Sequence, residues 1–168
     1  MNKQEIKKQS NLDFTLSLAL FDALPVIFFC IAMLLIATRF QNIFFLIGTI
    51  LCTCAGCGKV LWKILVVAKK YDIRLLNRQL RILMPLGFLL VIIGLFTGRN
   101  VINFSKLWYQ ITLFPTCIFF GITVIGMICM SIFAFILDST KVKSNWIEQI
   151  TNAIAQGCFL LGVLSLLF

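Results

Sequence analysis

Apolar residues in this chain fall into long runs, without the alternation of half-buried strands or the narrow stripes of soluble helices. Five runs cover residues 13–38, 43–68, 82–98, 110–137 and 145–168. Each reads as a helix able to cross a bilayer, which takes about 20 mostly apolar residues. The third run is the shortest. The connection Arg39-Phe40-Gln41-Asn42 is so brief that the first two runs must fold back on each other as an antiparallel hairpin. The pattern changes between the second and third runs, over residues 70–83. There Ile73, Leu76, Leu80 and Leu83 recur at helical spacing beside a basic stripe of Arg74, Arg78 and Arg81. That stripe predicts an amphipathic cytoplasmic segment, either lying on the membrane surface or extending the third span. The fifth run opens with Ser144-Asn145-Trp146-Ile147-Glu148, where Asn145 as N-cap and Glu148 three residues on fit a capping arrangement. The expected fold is all-α: a polytopic integral membrane protein, with residues 1–168 forming one bundle of five transmembrane helices.

Composition agrees. The 168 residues are 61% hydrophobic and 12% charged, where soluble domains run at about 45–50% and 25%. The net charge of +9 changes the picture only through its distribution. With the N-terminus in the cytoplasm, twelve basic residues fall on the inner side and three (Arg39, Arg99 and Lys106) on the outer side. The positive-inside rule therefore predicts a cytoplasmic N-terminus and an external C-terminus. Those basic residues lie mostly in short loops and at segment ends, which points to anionic lipid at the cytoplasmic face and not to nucleic acid. A bacterial cytoplasmic membrane is the expected location. Lys3, Lys7 and Lys8 precede the first apolar run as in a signal peptide, but the run is too long and lacks a small-x-small cleavage site, so a retained first helix is expected. The chain has no histidine and only six carboxylates. It thus lacks the commonest general base and the commonest metal ligand, and no catalytic residue, metal or cofactor is predicted.

The informative residues are the polar ones inside the runs. Asp22 and Lys59 each lie about nine residues from the cytoplasmic end of their spans, so equal depth on adjacent helices predicts an Asp22–Lys59 ion pair. Lys63 follows Lys59 one turn nearer the cytoplasm on the same face. Glu148, Asn152 and Gln156 recur every four residues from the start of the fifth span. A charge at mid-helix costs about 2.5–3.5 kcal/mol on insertion scales, so these groups should face one another or a wet cavity. Pro25, three residues beyond Asp22, should break the helix there and free the Phe21 carbonyl.

Cys54-Ala55-Gly56-Cys57 has the spacing of a redox pair, but deep apolar surroundings make thiols inert. Together with Gly48, Ala55, Gly56 and Gly58 the cysteines read as a smooth packing surface. Pro25 to Arg39 and Pro85 to Arg99 share a fourteen-residue spacing, a faint echo that would relate spans one–two to spans three–four. In size and basic inner face the chain resembles the membrane-embedded substrate-binding subunits of energy-coupling vitamin importers. In span number it resembles the tryptophan-rich translocator proteins, whose tryptophan–proline motifs it lacks. Both likenesses are of shape, and shape does not assign function. The expected function is a small transport or permeation protein, or a membrane subunit of a transporter, with Asp22, Lys59, Lys63, Glu148, Asn152 and Gln156 lining its site. The alternatives are an accessory or scaffold protein that binds lipid or a partner through Arg74, Arg78 and Arg81, and a membrane thiol oxidoreductase using Cys54 and Cys57. A homo-oligomer or a complex with a partner membrane protein fits any of these.

Overall fold

The computed structural model describes residues 16–69, 74–99, 103–137 and 141–167. Every regular element among them is an α-helix: α1 (Leu16–Phe21), α2 (Ala23–Phe40), α3 (Ile43–Lys69), α4 (Arg74–Thr97), α5 (Phe104–Thr112), α6 (Thr116–Ile136) and α7 (Val142–Leu167). Four stretches are long and apolar enough to cross a membrane: Ser17–Phe40, Ile43–Leu65, Thr116–Phe133 and Val142–Leu167. Ile82–Thr97 in α4 is apolar but shorter.

Local chemistry sets the boundaries. Pro25 has no N–H to donate to the Phe21 carbonyl, and the first span is interrupted nearby, at Asp22, between α1 and α2. Gln41 ends α2 in the left-handed region at φ 47°, its N–H donating to the Ala37 carbonyl. Asn42 then starts α3, its Oδ1 accepting the N–H groups of Phe44 and Phe45. A two-residue turn results, as the hairpin requires. Two expected boundaries move. The span expected over 110–137 is divided: α5 ends at Thr112, and α6 begins only at Thr116, behind Pro115. Proline is tolerated at a helix start, where its missing N–H has no partner to lose. Asn145 is not an N-cap. It lies inside α7, and both its backbone N–H and its Nδ2 donate to the Lys141 carbonyl. Residues 74–83 are the first turns of α4, an extension of the third span. The side chains of Arg74, Arg78 and Arg81 lie outside the described residues, as do Lys3, Lys7 and Lys8.

The long helices pack side by side in the order α4, α3, α2, α7, α6. Contacts give their directions. Val26 meets Gly56 and Cys52 meets Gly87, so α2–α3 and α3–α4 are antiparallel. Phe28 packs at Gly157 and Phe29 against Phe159, so α2 and α7 run parallel. Gly126 meets Ala155 and Gly162 meets Phe120, making α6 antiparallel to α7. No extensive contact joins α4 to α6 among the described residues, and a repeat relating spans one–two to spans three–four finds no matching hairpin. The outward faces carry large apolar side chains such as Phe96, Val124, Ile125 and Phe135, all well over half exposed.

Helices α3 and α4 approach nearly to backbone contact. Gly48 and Cys52, one turn apart on α3, meet Gly87, and Phe45 meets Gly94. A Cβ on Gly94 would stand 2.5 Å from the Phe45 nitrogen, and one on Gly48 would stand 2.6 Å from the Gly87 oxygen. Asn42 Nδ2 fastens the turn to this pair by donating to Thr97 Oγ1 at 3.0 Å. Gly94→Val should therefore destabilise by at least the roughly 1–3 kcal/mol typical of overpacking. Gly121→Ala, whose new methyl meets nothing within 4 Å, should leave the unfolding midpoint in detergent unchanged.

Candidate functional site

Asp22 follows the end of α1, and Lys63 lies on the buried stripe of α3 that also carries Phe45, Thr49, Cys52, Ala55 and Val60. The Lys63 ammonium stands 2.7 Å from Asp22 Oδ2, with both side chains about 95% buried. The approach is ionic and not a well-aligned hydrogen bond. The expected Asp22–Lys59 pair is thus corrected to Asp22–Lys63. Side-chain direction explains it. A hairpin folded about Gln41 and Asn42 brings Asp22 level with Leu61, so Lys59 and Lys63 are equally far off level, by about 3 Å. Helical side chains lean toward their own N-terminus. On antiparallel helices Asp22 leans away from the turn while both lysines lean toward it. That brings Lys63 to Asp22 and takes Lys59 past it.

Lys59 is half-buried nearby, and Glu148 comes from the first turns of α7. Both are near enough for their charges to act on Lys63. The first turns of α7 also bury Ser144, Asn145 and Gln149. Trp146 leans on Phe21 with ring centres 5.5 Å apart, which sets this end of α7 beside Asp22. Gln149 is 4% exposed, and its Oε1 has no hydrogen-bond partner among the described residues. Sequence reading passed over Gln149 and treated Asn145 only as a cap. The signal was there: both lie on the buried side of α7, four residues apart.

Asn152 and Gln156 do not join the charges. They lie further along α7 and line a second feature, a half-open cleft of about 210 Å3 between α4 and α6. All five long helices line it. Pro25 comes from α2, Cys52 from α3, Met84 from α4, and Met127 and Met130 from α6. Phe29 and Phe88 close one wall with ring centres 6.4 Å apart. Gln156 Nε2 lies 3.7 Å from Met127 Sδ. The cavity occupies the gap between α4 and α6, which pack on opposite ends of the row.

Cys54 and Cys57 are free and exposed on the outer surface of α3, while Cys52 is the buried member of the trio. Cys57 borders an apolar groove of about 400 Å3 between α2 and α3. No group of three or more cysteine or carboxylate side chains comes together among the described residues. The chain matches no protein-family model, no curated protein and no solved structure.

Removing Lys63 strands a buried carboxylate, so Lys63→Ala should cost about 3–5 kcal/mol, measured as a lowered unfolding midpoint in detergent. Asp22→Asn combined with Lys63→Gln should recover most of that loss, because no uncompensated charge remains. Lys59→Ala, which strands nothing, should shift the midpoint far less than Lys63→Ala.

Proposed function

We propose that the protein is a small transport or permeation protein, or the membrane subunit of a transporter, whose site is the central cavity and its neighbouring ion pair. One observation carries the reading: a cavity lined from all five long helices holds two carboxamides and lies directly beside a sealed, charged contact. Asn152 lines the cleft, and Gln149, buried one turn earlier, lies toward the end of α7 that Trp146 sets beside Phe21. Pro25 lines the cavity three residues from Asp22. Polar groups inside a membrane bundle commonly mark a ligand or ion path.

Five crossings fit this reading, with the N-terminus cytoplasmic and the C-terminus external. The alternating helix directions support them: α3 and α6 run one way, and α2, α4 and α7 run the other. The end of α3 and the start of α6 lie at opposite ends of the bundle, so α4 carries the chain across despite its short apolar segment. The Asp22–Lys63 pair then closes the cytoplasmic half, and the basic inner face rests on anionic headgroups of a bacterial cytoplasmic membrane. On the outer side, α5 exposes Trp108 and Tyr109 at 70% and 65%, as an interfacial helix would.

An accessory or scaffold role is favoured by one fact, that the ion pair is already closed and nearly dry. Native mass spectrometry of gently extracted protein separates the two readings. A transport site predicts a co-purifying small molecule that is lost in Asn152→Leu and Gln156→Leu variants of unchanged stability. A wild-type chain with no adduct, or an adduct indifferent to both substitutions, overturns the cavity as a site and leaves the scaffold role.

A further inference from the structure

No charged side chain lines the cleft between α4 and α6 among the described residues, and its wall is mostly apolar. The strongly polar exceptions are Asn152 and Gln156. They stand one turn apart on α7, a spacing that sets Cβ atoms about 5–6 Å from each other. Neither carboxamide is well satisfied. Among the described residues Asn152 makes no side-chain hydrogen bond. Gln156 makes one, from Nε2 to Met127 Sδ at 3.7 Å, and a thioether is a weak acceptor. Helices α4 and α6 make no extensive contact, so the cleft opens sideways, toward the acyl chains of a bilayer. Phe88 of α4 and Met127 of α6 belong both to its lining and to the outer surface, at 42% and 45% exposed.

These features narrow the occupant. A phospholipid acyl chain cannot bond the carboxamides, and an unbonded amide in an apolar medium is costly. An ion finds no charge in the lining to offset its own. A helix, about 10–12 Å across with its side chains, does not fit a space of about 210 Å3. Taking the cleft as the site proposed above, we infer that it binds a neutral single-chain lipid alcohol, drawn from the bilayer between α4 and α6, with Asn152 and Gln156 holding its hydroxyl. A hydroxyl both donates and accepts. Its oxygen can receive an N–H from one carboxamide while its proton goes to the carbonyl of the other. Gln156 then exchanges a weak sulfur contact for an oxygen acceptor. The chain lies against Met84, Met127 and Met130, whose unbranched side chains adapt to an irregular apolar surface. Entry from the side leaves the Asp22–Lys63 contact closed, because nothing has to pass between the charges.

The test is photolabelling of the full chain in phosphatidylcholine nanodiscs by hexadecanol carrying a diazirine near its hydroxyl end, with labelled peptides mapped by mass spectrometry. The expected result is labelling concentrated on residues 84–88 and 127–130, displaced by excess hexadecanol but not by hexadecane or hexadecyl sulfate. Asn152→Leu and Gln156→Leu should each lower that labelling about fivefold, the weight of one hydrogen bond, at an unchanged unfolding midpoint. Labelling spread equally over outward positions such as Ile125 and Phe135, or displaced equally by hexadecane, overturns the proposal without recourse to any variant. Cleft labelling indifferent to both substitutions overturns it as well. If the alcohol is not held but native mass spectrometry still shows an adduct dependent on Asn152 and Gln156, the lipid alcohol is overturned and the cleft stands as a site for another class of ligand. If neither is seen, both readings fall.

Discussion

A charge that cannot reach water has to find its opposite, and in this chain that requirement fixes more than one contact. Asp22 and Lys63 are about 95% buried, and neither would be tolerated there alone. Their meeting sets the register of α2 against α3 to within a turn, because sliding either helix by one turn would separate them by about 5 Å. The short turn at Gln41 and Asn42 sets the same register from the other end. Two independent constraints agree, and the hairpin has little freedom left. Trp146 packed on Phe21, ring centres 5.5 Å apart, then brings the start of α7 to the same place. The pair adds little net stability over an apolar pair of equal volume. What it contributes is uniqueness, since few alternative arrangements keep every charge matched.

The rest of the bundle is held by close backbone approach. In lipid the hydrophobic effect does not press helices together, so packing and small residues have to. The glycines of α3 and α4 bring these two helices nearly into backbone contact. A similar device holds α6 to α7, where Gly126 accepts the Ala155 methyl and Thr123 Oγ1 donates to the Ala155 carbonyl. Two tight pairs thus flank the α2 helix. Tightness on both flanks leaves the seam between α4 and α6 open, and flexible methionine side chains line it. The cavity follows from where the glycines are and where they are not.

Much of this was legible in the sequence, for reasons tied to particular residues. Long apolar runs leave only helix as an option in lipid, because every backbone polar group must be satisfied within its own segment. The hairpin turn could be read from four residues, and the break near Pro25 from one missing N–H. The small-residue face of the second span was legible, but its partner was not, since Gly87 and Gly94 gain meaning only once α4 is placed against it. Depth counting failed at Lys59 because it treated side chains as points on their helix axes. Leaning toward the N-terminus displaces a long side chain by most of a turn, and on antiparallel helices the two displacements oppose. The sulfur-lined cavity was invisible because its members are more than 70 residues apart in the chain at the extremes and share no periodicity. Asn103 caps α5, its side chain accepting the Lys106 N–H at 3.1 Å.

The arrangement of polar groups also follows an order of cost. Full charges, whose burial is the most expensive, sit near the open end of the α2–α3 hairpin and beside one another. Neutral carboxamides come next, further along α7, where a single hydrogen bond can compensate them. Thioethers and a thiol, which cost almost nothing in an apolar medium, line the cleft between α4 and α6. The groups dearest to bury are therefore the ones held most tightly, by the 2.7 Å contact between Asp22 and Lys63.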